Sequence, residues 1–135
     1  MQSIGTFLVL LFLLLGQTTQ GQVWNVVTIQ FENLQTNNGS IMLLVQNDFE
    51  KEVLKLVIPI ENRAASATLK LQAGGYGFSA YQDENSNKKL DLNFFGAPTE
   101  VYGFSNNARG FFGKPAYAET LVKIDSSQTI KFKLE

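Results

Sequence analysis

From Val23 onward, apolar residues recur mostly at every second position, the period of a β-strand with one buried face. VWNVVTIQF, residues 23–31, puts Val27, Ile29 and Phe31 on one face. The turn Asn37-Asn38-Gly39-Ser40 leads into IMLLVQ, residues 41–46, a nearly continuous apolar run suited to a strand buried on both faces. VLKLVIPI follows at 53–60, where Pro59 implies an edge strand or a strand end because it has no N–H for a ladder. Ala67 to Leu71 forms a short alternating strand that Gly74-Gly75 breaks, and YGFSAY, residues 76–81, starts the next with Tyr76, Phe78 and Ala80 together. Thr120 to Ile124 and Thr129 to Leu134 flank the turn Asp125-Ser126-Ser127, the second with Ile130, Phe132 and Leu134 against Lys131, Lys133 and Glu135.

This pattern predicts an all-β fold: a single β-sandwich, immunoglobulin-like or prealbumin-like, of about seven strands. No segment has sustained helical periodicity, although FFGKPAYAET has room for one turn. Residues 83–119 hold no convincing strand and are read as one long ordered loop, of a length that is usually functional or disordered. Phe94, Phe95, Tyr102, Phe104, Phe111, Phe112 and Tyr117 make that stretch too aromatic for a solvated chain. Two uses of the rings are open. They form a platform for a sugar or protein partner, or a satellite core sealing one side of the sandwich; the second is favoured, with Tyr102, Arg109 and Tyr117 left exposed.

The N-terminus changes the expected location. FLVLLFLLL, residues 7–15, is too short to span a bilayer, which takes about 20 residues, but fits the apolar region of a secretory signal. A signal peptide over residues 1–21, cut after Gly21, leaves a mature domain over 22–135 with no membrane span, exported to the periplasm or secreted. The rival is an uncleaved N-terminal anchor. No cysteine is present to staple the fold or carry a lipid. The net charge of −1 offers no basic patch for nucleic acid.

Candidate chemistry concentrates in DENSNKKLD, residues 83–91. Asp83, Asn85 and Asn87 alternate and Asp91 follows, so their oxygens and the Lys89 carbonyl map onto the first, third, fifth, ninth and seventh positions of a calcium loop. Lys88 stands where such loops carry glycine and Phe94 where they carry a bidentate glutamate. Any calcium site is therefore of the weak extracellular class, about 10⁻⁴–10⁻³ M. The competing reading is a set of Asx turns, in which these side chains bond their own backbone. Tyr102, Asn106, Arg109 and Tyr117 are the candidate ligand-binding residues, for an unidentified protein or glycan partner. Catalysis finds no support: there is no histidine or cysteine, no nucleophile elbow and no phosphate loop. The expectation is a non-enzymatic binding or interaction module, with a carbohydrate-binding module or a structural envelope protein as alternatives.

The same stretch, DENSNKKLDLNFFGAPTEVYGFSNNARGFFGKPAYAET, resembles the signature of an exported bacterial family, domain-of-unknown-function family 2141. That signature is similar to H-D-x-N-x-N-x-x-x-D followed by G-x-P-x-E-x-Y-G-F-S-N, the second block being Gly96, Pro98, Glu100, Tyr102, Gly103, Phe104, Ser105 and Asn106 here. The resemblance implies an exported β-sandwich without an established activity. The chain departs from it at Gln82, often histidine in the family, and at Lys88, often glycine. A metal-ligating role for that histidine would be lost with Gln82.

Overall fold

The computed structural model describes residues 21–135, so the expected signal peptide lies outside the described residues except for Gly21. Eight strands form two sheets: β1 (Asn25–Phe31), β2 (Ser40–Asn47), β3 (Glu52–Pro59), β4 (Ala65–Leu71), β5 (Gly74–Asp83), β6 (Tyr102–Phe104), β7 (Leu121–Ile124) and β8 (Gln128–Lys131). The three-stranded sheet runs β4-β1-β8, antiparallel between β1 and β4 and parallel between β1 and β8. The larger sheet runs β3-β2-β5, and β6 and β7 share the remaining edge of β5, β7 along Gly74–Gly77 and β6 along Ser79–Tyr81. The protein is an all-β sandwich, as the alternation predicts, with eight strands among the described residues.

The alternation seen in the sequence builds the core. Val27, Ile29 and Phe31 from β1 meet Ile41, Leu43 and Val45 from β2 and Phe78 and Ala80 from β5, all buried. Phe31 meets the buried Phe132 edge to face, with centroids 5.0 Å apart. Each such side chain contributes about 1.5–3 kcal/mol by leaving water. Pro59 ends β3, an edge strand, as its missing N–H requires.

Three expectations change. IMLLVQ is fully buried on one face only; Met42, Leu44 and Gln46 on the other are half-buried. Gly74 and Gly75 open β5 and pair with Ile124 and Lys123. The 83–119 stretch also holds regular structure: β6, a 3-10 turn at Ser105–Asn107 and the one-turn helix α1 (Tyr117–Thr120), where a single turn was expected. The strands around Asp125–Ser127 do not pair with each other, because the turn carries the chain from the larger sheet to the smaller one.

Phe78→Ala should lower the unfolding free energy by about 3–5 kcal/mol, whereas Phe95→Ala, at an exposed ring, should change it by less than about 0.5 kcal/mol. Urea denaturation followed by circular dichroism measures both.

Candidate functional site

The 83–91 turn is built by its own side chains. Asp83, only 2 % exposed at the end of β5, accepts the Asn87 N–H on Oδ1 at 3.2 Å and the Lys88 N–H on Oδ2 at 2.8 Å. Asn85 Oδ1 also accepts the Asn87 N–H at 3.2 Å, and Asn87 Oδ1 accepts the Lys89 N–H at 2.9 Å. These are the Asx turns that alternating Asp and Asn favour. Asp91 closes the circle, accepting from Asn85 Nδ2 at 2.6 Å and from Asn87 Nδ2 at 2.7 Å. Four of the five residues singled out as metal ligands thus converge through their side chains, and Lys89 joins through its main-chain N–H. Among the described residues, no group of three or more His, Cys, Asp or Glu side chains is placed to hold a metal ion.

Glu100 holds this turn to the chain that returns from it. Its Oε1 accepts the Glu84 N–H at 3.0 Å and its Oε2 the Asp91 N–H at 3.1 Å. Lys88 has φ of +62°, a region where glycine is strain-free, which explains how glycine fits that position. Gln82 is fully buried and its Nε2 donates toward the Thr36 and Asn38 carbonyls at 3.2 and 2.9 Å. The residue at position 82 therefore secures the β1–β2 connection.

The four candidate ligand-binding residues separate into two kinds. Asn106 donates through Nδ2 to the Glu119 and Leu121 carbonyls, both at 3.0 Å, closing the base of the 107–118 loop. Arg109 lies 4.9 Å from the Tyr102 ring centroid, donates to the Tyr102 carbonyl at 2.9 Å and pairs with the Glu135 carboxylate at 3.4 Å. Tyr102 and Tyr117, half-buried rather than exposed, face a groove of about 750 Å³ on the outer side of the larger sheet. The strand register sets its floor: Met42, Tyr81 and Tyr102 lie across adjacent strands, with Leu44, Ser79 and Phe104 in the neighbouring row. Tyr117 rests on bare backbone at Gly77, where a Cβ would come within 2.8 Å of its ring, and its hydroxyl donates to the Asn47 carbonyl at 2.5 Å. Met42, Leu44 and Tyr81 were legible as the faces opposite the core, but reading IMLLVQ as buried on both sides concealed them.

The favoured satellite core does not form from four of the loop's five phenylalanines; Phe104 alone is half-buried, edge to face with Tyr102. Phe94 and Phe95 are 98 % and 89 % exposed, and Phe111 and Phe112 are each 92 % exposed. Each pair precedes a glycine of positive φ, Gly96 in a hydrogen-bonded turn and Gly113 in a bend. Asn93 fixes the first turn by accepting the Phe95 and Ala97 N–H groups on Oδ1 at 2.9 and 3.0 Å, while the Gly96 N–H bonds the Asn93 carbonyl. The rings occupy turn positions whose side chains point outward, so aromatic content did not translate into packing.

A family model described as an uncharacterised protein conserved in bacteria, DUF2141, matches residues 29–131. The chain belongs to this family. No curated protein and no solved structure matches it. The matched region runs from β1 to β8 and includes both blocks by which the sequence resembles DUF2141. In the second block, Gly96 makes a turn, Glu100 clasps the 83–91 turn and Tyr102 floors the groove. Gly103 lets the Lys133 carbonyl approach its backbone, and Asn106 closes a loop. Most of that block is scaffold.

Burial pushes the Glu100 carboxyl above its ordinary pKa; the N–H donors of Asp91 and Glu84 oppose this, and the Asp91 and Asp83 charges add to it. A folded pKa above the unfolded one means that the folded state holds the proton more tightly. Stability contributed by Glu100 is then present below its unfolded pKa and declines as pH rises through its folded pKa. A carboxyl carbon NMR titration should place the Glu100 midpoint above that of an ordinary glutamate. Glu100→Gln should flatten the fall in stability over that pH interval.

Proposed function

We propose that the protein is an exported, non-enzymatic binding module whose 83–119 excursion is its recognition surface. The observation that carries this reading is the near-complete exposure of four phenylalanine rings, two on a hydrogen-bonded turn and two on a bend. Burying a ring is worth about 1.5–3 kcal/mol, a gain left for a partner to supply. Exposed apolar groups held on ordered turns are what interaction surfaces use as anchors. The non-enzymatic part is supported by the lack of histidine and cysteine and by the engagement of Asp83, Asp91 and Glu100 in hydrogen bonds within the scaffold. Export is supported by the N-terminal apolar run.

Calcium is a secondary part of this proposal. Rotating the Asn85 and Asn87 amides would turn their oxygens toward the space they share with Asp83 and Asp91, exchanging both the amide–carboxylate bonds and the Asx-turn bonds to the Asn87 and Lys89 N–H groups for coordination. Two carboxylates beside Lys88 and Lys89 keep the affinity weak. A second reading, a carbohydrate-binding module, is favoured by the groove that Tyr102 and Tyr117 both line.

A photo-crosslinking residue at position 95 or 112, introduced into the protein in its producing bacterium, should yield a specific adduct that the same residue at the exposed Lys70 does not. Adducts no different from those at position 70 would sink the recognition surface. Millimolar calcium should raise the melting temperature of the wild type and leave Asp91→Ala unmoved. An unshifted wild-type melt would remove the metal without touching the aromatic surface.

A further inference from the structure

The groove on the outer face of the larger sheet is chemically distinct from the exposed phenylalanines. Its floor is apolar and aromatic, with Met42 and Leu44 on β2, Tyr81 on β5 and Tyr102 and Phe104 on β6. Its two ends are walled by different parts of the excursion. Lys88, Lys89 and Leu90 stand at the Tyr81 end, where the Lys88 N–H is bonded to Asp83. Lys114, Pro115 and Tyr117 stand at the Gly77 end, where the Tyr117 ring covers bare backbone. Tyr81 lies four residue steps along the strand from Gly77, a span of about 13 Å.

The charges are uneven. Lys88, Lys89 and Lys114 make no ion pair among the described residues, while Lys55 at the side of the groove is paired with Glu52 at 3.1 Å. Glu50 is the one acidic residue of the lining. The carboxylates near the Tyr81 end, Asp83 and Glu100, are held by main-chain N–H groups, and Asp91 by two amides. They keep their charge: burial, and after it these three carboxylates, raise the Tyr81 hydroxyl above its ordinary pKa. The positive charge open to a ligand is therefore that of the lysines at the rim. Free ammonium groups at both ends of an aromatic trough complement a ligand that repeats negative charge along its length. The trough is open to solvent along its top, and its floor side chains are half-buried. That suits a ligand with one apolar face and a hydrated rim better than an acyl chain, which needs enclosure on all sides.

We infer that this groove binds an acidic oligosaccharide, its sugar faces lying on Tyr81, Tyr102 and Phe104 and its carboxylates meeting Lys88, Lys89 and Lys114. This deepens the carbohydrate-binding reading and rests on it; it does not require the exposed phenylalanines. Hexagalacturonate is the anionic probe, maltohexaose the neutral one and palmitate the acyl one, each titrated into the protein by isothermal calorimetry. Hexagalacturonate should bind, and more tightly than maltohexaose. Its affinity should fall at least about tenfold in Lys88→Gln/Lys89→Gln/Lys114→Gln, whose substitutions are exposed and spare the core. It should also weaken between 50 and 500 mM salt, a range chosen to shorten the screening length below about 10 Å. Tyr102→Ala should weaken binding with little change in salt dependence, circular dichroism confirming that it is folded. Equal binding of both sugars would overturn the anionic specificity while leaving a carbohydrate module standing. Binding of palmitate alone, or of none of the three, would overturn the sugar reading as well.

Discussion

Two buried carboxylates, Asp83 and Glu100, organise the part of this protein that is not plain sandwich. Among the described residues neither has a cationic side chain beside it in an ion pair; each is satisfied by two main-chain N–H groups. A buried carboxylate without partners would be strongly disfavoured, whereas hydrogen bonds to a charged acceptor contribute about 1.5–3 kcal/mol each. The chain therefore has to bring the N–H groups of residues 84, 87, 88 and 91 to these oxygens, which fixes the path of the turn. Asp83 does so from the last residue of β5, and Glu100 from two residues before β6. The turn is thus tied at both ends to strands that are themselves paired.

The strands that supply the core were legible because burial on one face leaves a period of two, as in β1 with Val27, Ile29 and Phe31. β6 was not, because three residues with glycine at the centre carry no period. Nor does alternation say which sheet a strand joins, and the turn at Asp125–Ser127 carries the chain from one sheet to the other. At the site, the spacing of Asp83, Asn85, Asn87 and Asp91 did announce a circle of oxygens and amides. The role of Glu100 is set by contacts across 9 and 16 residues, and no local pattern carries those. The phenylalanine pairs show the opposite limit. Ring content speaks for burial only when the backbone turns the rings inward, and the Asn93–Gly96 turn turns them out.

Two surfaces of contrasting character result from one excursion. The turn tips present paired rings to solvent, and the segments just before and after them wall a lysine-bearing trough on the sheet. Both rely on the same anchoring: the carboxylate-held turn at one end, and Tyr117 laid on Gly77 at the other. Their rigidity comes from polar contacts to main chain rather than from a second hydrophobic core.

The chain leaves the edge of β5 after β6 and returns as β7, and a side chain covers the gap. The Ser105 hydroxyl accepts the Phe78 N–H at 3.0 Å and lies against the carbonyls of Phe78 and Thr120. One hydroxyl therefore serves as a splice, joining Ser105 to Thr120 across the sheet edge whatever the length of chain between them. Residues 110–115, between the Arg109 contacts and the Tyr117 ring on Gly77, form a cassette in consequence. Evolution, or an engineer grafting a binding loop, has freedom to lengthen, shorten or replace that cassette, because the strands on either side do not depend on it for their register.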